Sequence, residues 1–223
     1  MLLKENGGGK DNNMGKWQNL QNAFFESVCK YDLPKINPVY ELPDVNKFIE
    51  FDFCLRYRAD RHDRSKVGVH FFEDDYKFER CWSCPDRYAE LLKDFGYVLG
   101  PDFSVYADFP FPVRLYNYYR NAWLTKYWQE NCGITVVPTV MWGEEDTWDW
   151  CFDNYPKNSI VAVSNVGTQL AKDEKEYFTN GYNEMLRRLN PSKILLFTRN
   201  FAKYDGNIQY IRWESRKGEQ LNG

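Results

Sequence analysis

The sequence predicts an α/β protein: a mainly parallel sheet with alternating helices, either doubly wound or an incomplete (β/α) barrel. Two observations carry this. Short apolar runs such as "VGVHFF" (67–72), "ITVVPTV" (134–140), "SIVAV" (159–163) and "KILLF" (193–197) are continuous rather than alternating, as in parallel strands buried on both faces. Stretches of helical length separate them, and strand–helix–strand alternation implies right-handed crossovers. Periodicity does not separate the two architectures.

The elements follow in order. Residues 1–40 are expected to be a flexible or loosely packed N-terminal arm, Gly- and Asn-rich at its start. Residues 41–223 form a single α/β domain. Pro34, Pro38 and Pro43 make 31–46 an extended connection, because each fixes φ and removes a donor. "FIEFDFCLRYRA" (48–59) reads as a strand and "DRHDRSK" (60–66) as a charged turn. "PDRYAELLKDFG" (85–96) is a helix, opened by proline and stopped by glycine. "FSVYADF" (103–109) reads as a strand, followed by a long helix over 113–133. A helix at 145–155 has acids in its first turn, which suit the dipole. A further helix spans 172–190, with Arg187 and Arg188 late, and a last strand spans 208–213.

Composition bounds the function. The chain has 223 residues, 43% hydrophobic and 27% charged, with a net charge of −3. That argues against a strongly basic, non-specific nucleic-acid binder. No apolar run approaches the ~20 residues of a membrane span, and the N-terminus lacks a signal peptide's apolar core. The expectation is a cytoplasmic protein with no membrane partner, its six cysteines reduced. Aromatic residues reach 18%, suited first to packing and second to stacking on planar ligands.

In both architectures ligands sit beyond the carboxyl ends of the strands. Asp74, Asp75 and Asp108 follow apolar runs and are the candidate catalytic groups. Together with Glu144, such carboxylates can bind Mg²⁺ through oxygen or divide acid and base roles; no metal is otherwise specified. Arg114, Asn117 and Asn121 form one stripe at the start of the long helix, where free N–H groups favour an anion. The competing reading of Arg114 is a salt bridge to Asp108. Trp142, Ser164 and Gly167 complete the ligand-binding set. His70 reads as a core histidine and His62 as a solvated one. "CWSC" (81–84) has the spacing of half a zinc site, with no second half elsewhere. There is no phosphate-loop or dinucleotide-binding glycine motif.

Five stretches together resemble one known family. "FFEDDYKFER", "PDFSVYADFPFPVRLYNYYRNAWLTKYWQ", "GITVVPTVMWG", "SIVAVSNVGT" and "GYNEMLRRLNPSKILLF" look like the DUF4417 family, over about residues 40–212. The family occurs in bacteria, archaea, phages and other mobile elements and carries no established activity. The resemblance implies a phage or mobile-element setting and an α/β fold. Asp74, Asp75, Asp108, Arg114, Asn117, Arg120, Trp142 and Gly167 fall within the matching blocks. "CWSC" departs from the pattern, which argues against a shared metal role there.

Two readings stand, and the residues do not decide whether the protein is an enzyme. One is a ligand site at the strand ends, acting on a nucleotide, nucleic acid or other phosphate- or sugar-bearing substrate. The other is a non-catalytic protein that binds DNA or a host protein, with Arg56, Arg58, Arg61 and Arg64 around Tyr57 as its patch.

Overall fold

The computed structural model describes residues 23–57, 63–106, 108–166, 172–199 and 203–212. A small antiparallel pair comes first, β1 (Ser27–Val28) with β2 (Leu33–Pro34). Seven parallel strands follow: β3 (Lys47–Glu50), β4 (Val67–His70), β5 (Tyr97–Leu99), β6 (Val136–Val137), β7 (Ile160–Ser164), β8 (Lys193–Thr198) and β9 (Ile208–Arg212). The sheet order β3-β4-β5-β6 adjoins β7-β8-β9. The seam is a parallel bridge, Thr139 to Ala162, made by the Ala162 N–H donating to the Pro138 carbonyl and the Val140 N–H to that of Ala162.

The strands thus stand in chain order with no reversal, which is the arrangement of a barrel and not of a doubly wound sheet. The barrel is not closed: among the described residues β3 and β9 do not pair. The sheet nevertheless curls, because Phe48 of β3 and Phe197 of β8 touch, ring centroids 5.1 Å apart. Side chains alternate strictly across it. Tyr97, Leu99, Val137, Ile160, Ala162, Leu195 and Phe197 fill the concave face. Val67, Val69, Val98, Val136, Val161, Val163, Ile194 and Leu196 face the helices. Gly68 is required where it stands, since a Cβ there would lie 2.4 Å from the Phe48 ring.

The helices are α1 (Phe51–Cys54), α2 (Asp75–Ser83), α3 (Pro85–Leu92), α4 (Phe111–Glu130), α5 (Trp148–Cys151) and α6 (Lys172–Leu189). Central α4 enters both outer cores, through Trp123, Leu124 and Trp128 on one side and Tyr118 and Ala122 on the other. No helix of the described residues is long and apolar enough to cross a membrane. The proline-rich segment runs past the strand N-termini, where Val39 accepts from the Ile160 N–H and donates its own to Ser159 Oγ. Earlier still, Leu33 and Ile36 are buried in the core.

Four elements differ from the sequence expectation. The strand expected over 48–59 ends at Glu50 and turns into α1. α2, whose buried face is supplied by Phe78, Cys81 and Trp82, has no counterpart in the sequence expectation. The strand expected over 103–109 is absent; the true strand is β5, three residues long, and 101–106 have no regular structure. The helix expected over 145–155 is a 3₁₀ turn, Glu145–Thr147, leading into short α5.

Candidate functional site

Beyond the carboxyl ends of β5, β6 and β7 lies a cavity of about 570 Å³. Its floor is the segment after β5, which lacks strand partners and is fastened by side chains. Asn121 of α4 accepts from the Phe103 N–H at 2.8 Å and donates to the Phe103 carbonyl at 3.0 Å. One turn earlier Asn117 donates to the Ser104 carbonyl at 2.7 Å. Asp75, in the first turn of α2, accepts from the Ser104 N–H and, at 2.9 Å, from its hydroxyl. Arg120 stacks on Phe103, 3.7 Å from the ring centroid, while bonding Glu79 and Asn117. These bonds satisfy backbone groups that a neighbouring strand would otherwise take.

Held this way, Asp102 lines the cavity together with Ser104, Tyr106 and Asp108. Burial, reinforced by the nearby Asp75 carboxylate, pushes the Asp102 carboxyl up to about 8, so it keeps its proton near neutrality. Across the cavity stand Thr139, Met141, Trp142 and Glu144 from the connection after β6, Ser164 at the end of β7, and Tyr177 and Phe178 of α6. Trp142 packs against Phe178 with centroids 5.3 Å apart. Its ring edge lies so close to Gly181 that a Cβ there would meet Cδ1 and Nε1 at 2.1 Å.

A second unusual carboxyl lies outside the cavity lining. Glu73, just after β4, has a side chain only 2% exposed. Oε1 accepts from the Asp52 N–H, while Oε2 is buried without a hydrogen-bond partner. Desolvation pushes it up to about 7, against the lowering effects of that hydrogen bond and of Lys77.

The comparisons with known proteins bear on this frame. Residues 25–214 match the family described as "Domain of unknown function (DUF4417)". The chain belongs to the DUF4417 family. It is 37% identical over 177 residues to the Gene 1 protein of Mycobacterium phage L5, covering 78% of this chain and 73% of that protein. It is 33% identical over 198 residues to the Gene 1 protein of Mycobacterium phage D29, covering 86% and 72% respectively. No solved structure matches the chain.

In this DUF4417 protein the expected site residues divide. Asp108, Trp142 and Ser164 line the cavity. Asp108 does not end a strand, however; it sits exposed in a turn nine residues beyond β5. Asp74 points to solvent, 67% exposed, and pairs with Lys77 at 3.4 Å. Asp75 and Asn117 hold the floor from behind and do not line the cavity. Arg114 is 8% exposed and lies behind Gly143; its acidic partner is Asp146 at 3.4 Å, not Asp108, and Nε and Nη1 are buried without partners. Gly167 lies outside the described residues. Among those residues Asp74, Asp75 and Asp108 do not gather into a metal-ligating cluster.

Of the remaining candidates, those among the described residues are engaged by neighbours or buried, apart from exposed Cys84. Arg56 pairs with Asp52 and lies over the Phe53 ring; Arg64 donates to the Tyr57 carbonyl and to Asp94. Arg58, Arg61 and His62 fall outside the described residues. His70 is buried against Phe72 and Phe197. Cys81 is buried in α2, which raises its thiol well above the ordinary range, and Cys84 is exposed at the α2–α3 junction.

Sequence reasoning missed Asp102, Tyr106 and Tyr177 as cavity residues; Glu144, named there among the candidate carboxylates, lines the cavity. The signal for Asp102 was present: "YVLGPD" places it just past an apolar run. It was passed over because the strand was assigned to 103–109. Tyr177 has no local signal, since only the packing of α6 brings it to the rim.

Proposed function

We propose that the protein binds a small ring compound of the sugar or nucleoside type in the strand-end cavity and acts on it by acid–base chemistry. The observation that carries this is Asp102: a carboxyl that retains its proton near neutral pH, on the preorganised floor of a cavity with aromatic walls. The volume lies within the roughly 300–1,000 Å³ range of small-molecule sites. Trp142 and Tyr106 offer faces to a planar or pyranose ring. A protonated Asp102 can donate to a leaving oxygen or nitrogen, while solvent-exposed Asp108 can accept a proton or orient water. Two carboxyl groups in unlike environments are what transfer at a glycosidic bond requires.

Anion capture by Arg114 and Asn117 plays no part in this reading, because both side chains lie behind the cavity wall. For the DNA-binding reading, Arg56 and Arg64 bond within the molecule, and Arg58 and Arg61 lie outside the described residues, so no observation supports it to the same degree.

The test is saturation-transfer NMR on the purified chain with a panel of nucleosides, nucleotides and monosaccharides. Transfer to ring protons of at least one class is expected, and Trp142→Ala should abolish it. Asp102→Asn should bind the same compound but fail to convert it. A panel with no binder would refute the reading, as would binding indifferent to Trp142.

A further inference from the structure

The cavity also has a charge preference, and this deepens the small-ligand reading on which it rests. The Asp108 and Glu144 carboxylates line it beside the protonated, uncharged Asp102, and among its described lining residues there is no lysine or arginine. The guanidinium of Arg114 comes near the lining at Gly143 but faces Asp146. The rings are set to add to the same field. Tyr106, from the connection after β5, is 59% exposed, and Tyr177, from α6, is 55% exposed. Both line the cavity, with Trp142 deeper in the wall. An aromatic face carries negative potential, so rings and carboxylates together attract a cation and repel a phosphate. A neutral ligand would leave that field unused, and an anionic one would have to overcome it.

We propose that the cavity takes an organic cation: a sugar or base-like ring bearing an ammonium or quaternary nitrogen. The positive nitrogen lies among Tyr106, Tyr177 and the Asp108 and Glu144 carboxylates. The ring lies against Trp142.

The test uses two matched pairs on the full chain: glucosamine with glucose, and 1-methylnicotinamide with nicotinamide. Dissociation constants are measured by NMR titration near neutral pH at low and high salt. In at least one pair the cation should bind tenfold or more tightly than its neutral partner, with the gap narrowing in high salt. The combined variant Asp108→Asn and Glu144→Gln should lose that gap while keeping the wild-type Tm, since both groups stand at the cavity rather than in the core. Equal binding within both pairs, or a preference for the neutral member, would overturn the cation inference and leave the small-ligand reading intact. A cation preference that survives the double variant would overturn the assignment to these residues. Failure of all four compounds, together with failure of the wider nucleoside and sugar panel, would overturn both.

Discussion

Gly181→Ala is the most pointed perturbation the structure offers, because two opposing effects can be sized separately. Gly181 lies inside α6, where replacing glycine by alanine ordinarily gains about 1 kcal/mol. Here the new methyl would sit 2.1 Å from Trp142 Cδ1 and Nε1 and 2.7 Å from Cγ. The Trp142 ring is itself hemmed in by Phe178 and Phe152, so it cannot swing clear without moving the cavity wall. Overpacking of this kind costs roughly 1–3 kcal/mol. The net is a loss of about 1 kcal/mol, or about 2–4 °C in Tm for a chain of this size. In a Trp142→Ala background the clash is gone, and the same substitution should gain about 1 kcal/mol. Urea unfolding of the four proteins in the cycle measures the difference, expected near 2 kcal/mol. If Gly181→Ala stabilises both backgrounds equally, the close approach of Trp142 to α6 is not real and the cavity wall must be redrawn.

Two further predictions follow from the packing and the raised carboxyls. Asp102 and Glu73 hold their protons to about 8 and about 7 in the folded state, but ionise near pH 4 when unfolded; the unfolded chain therefore holds fewer protons in between, and stability falls as pH rises across that window. Tm should drop between about pH 5.5 and 8 in the wild type, and Asp102→Asn and Glu73→Gln should each flatten the slope and raise Tm at the alkaline end; a slope unchanged by either would contradict the assignment. Phe197→Ala empties the centre of the concave face, where Phe48, His70 and Phe72 all meet that ring, and should cost about 3–5 kcal/mol by denaturant unfolding; a loss below about 1 kcal/mol would mean that the sheet does not curl around this residue.

The legibility of the fold followed the length of its elements. β7 and β8, with five and six residues of unbroken apolar pattern, could be read directly, as could α4 and α6. β5 could not, because three residues carry too little pattern. The alternation in "FSVYADF" mimics a strand, yet its backbone is satisfied by Asn117 and Asn121 reaching across from a helix. That misplacement explains the fate of the site. The strand-end rim read from the sequence carries a cavity, and Asp108, Trp142 and Ser164 are among its lining residues. The group that carries the proposed chemistry, Asp102, was hidden because the strand was expected at 103–109 and stands at 97–99. The polar stripe on α4 was seen as a stripe. Its purpose depends on a long-range partner that no local pattern encodes.

The segment that crosses the strand N-termini has a bearing on how the chain is made. Val39 and Ser159 bond across 120 residues of sequence. At about 5–20 residues per second, the ribosome exposes the second partner roughly 6–24 s after the first. During that interval the first four parallel strands have no floor, because Ile160 and Ala162 of the concave face have yet to emerge. Early translation products must therefore wait with apolar surface uncovered, and the timing of completion is set by synthesis of β7 and then β8, which brings Leu195 and Phe197, rather than by the local helices that form first.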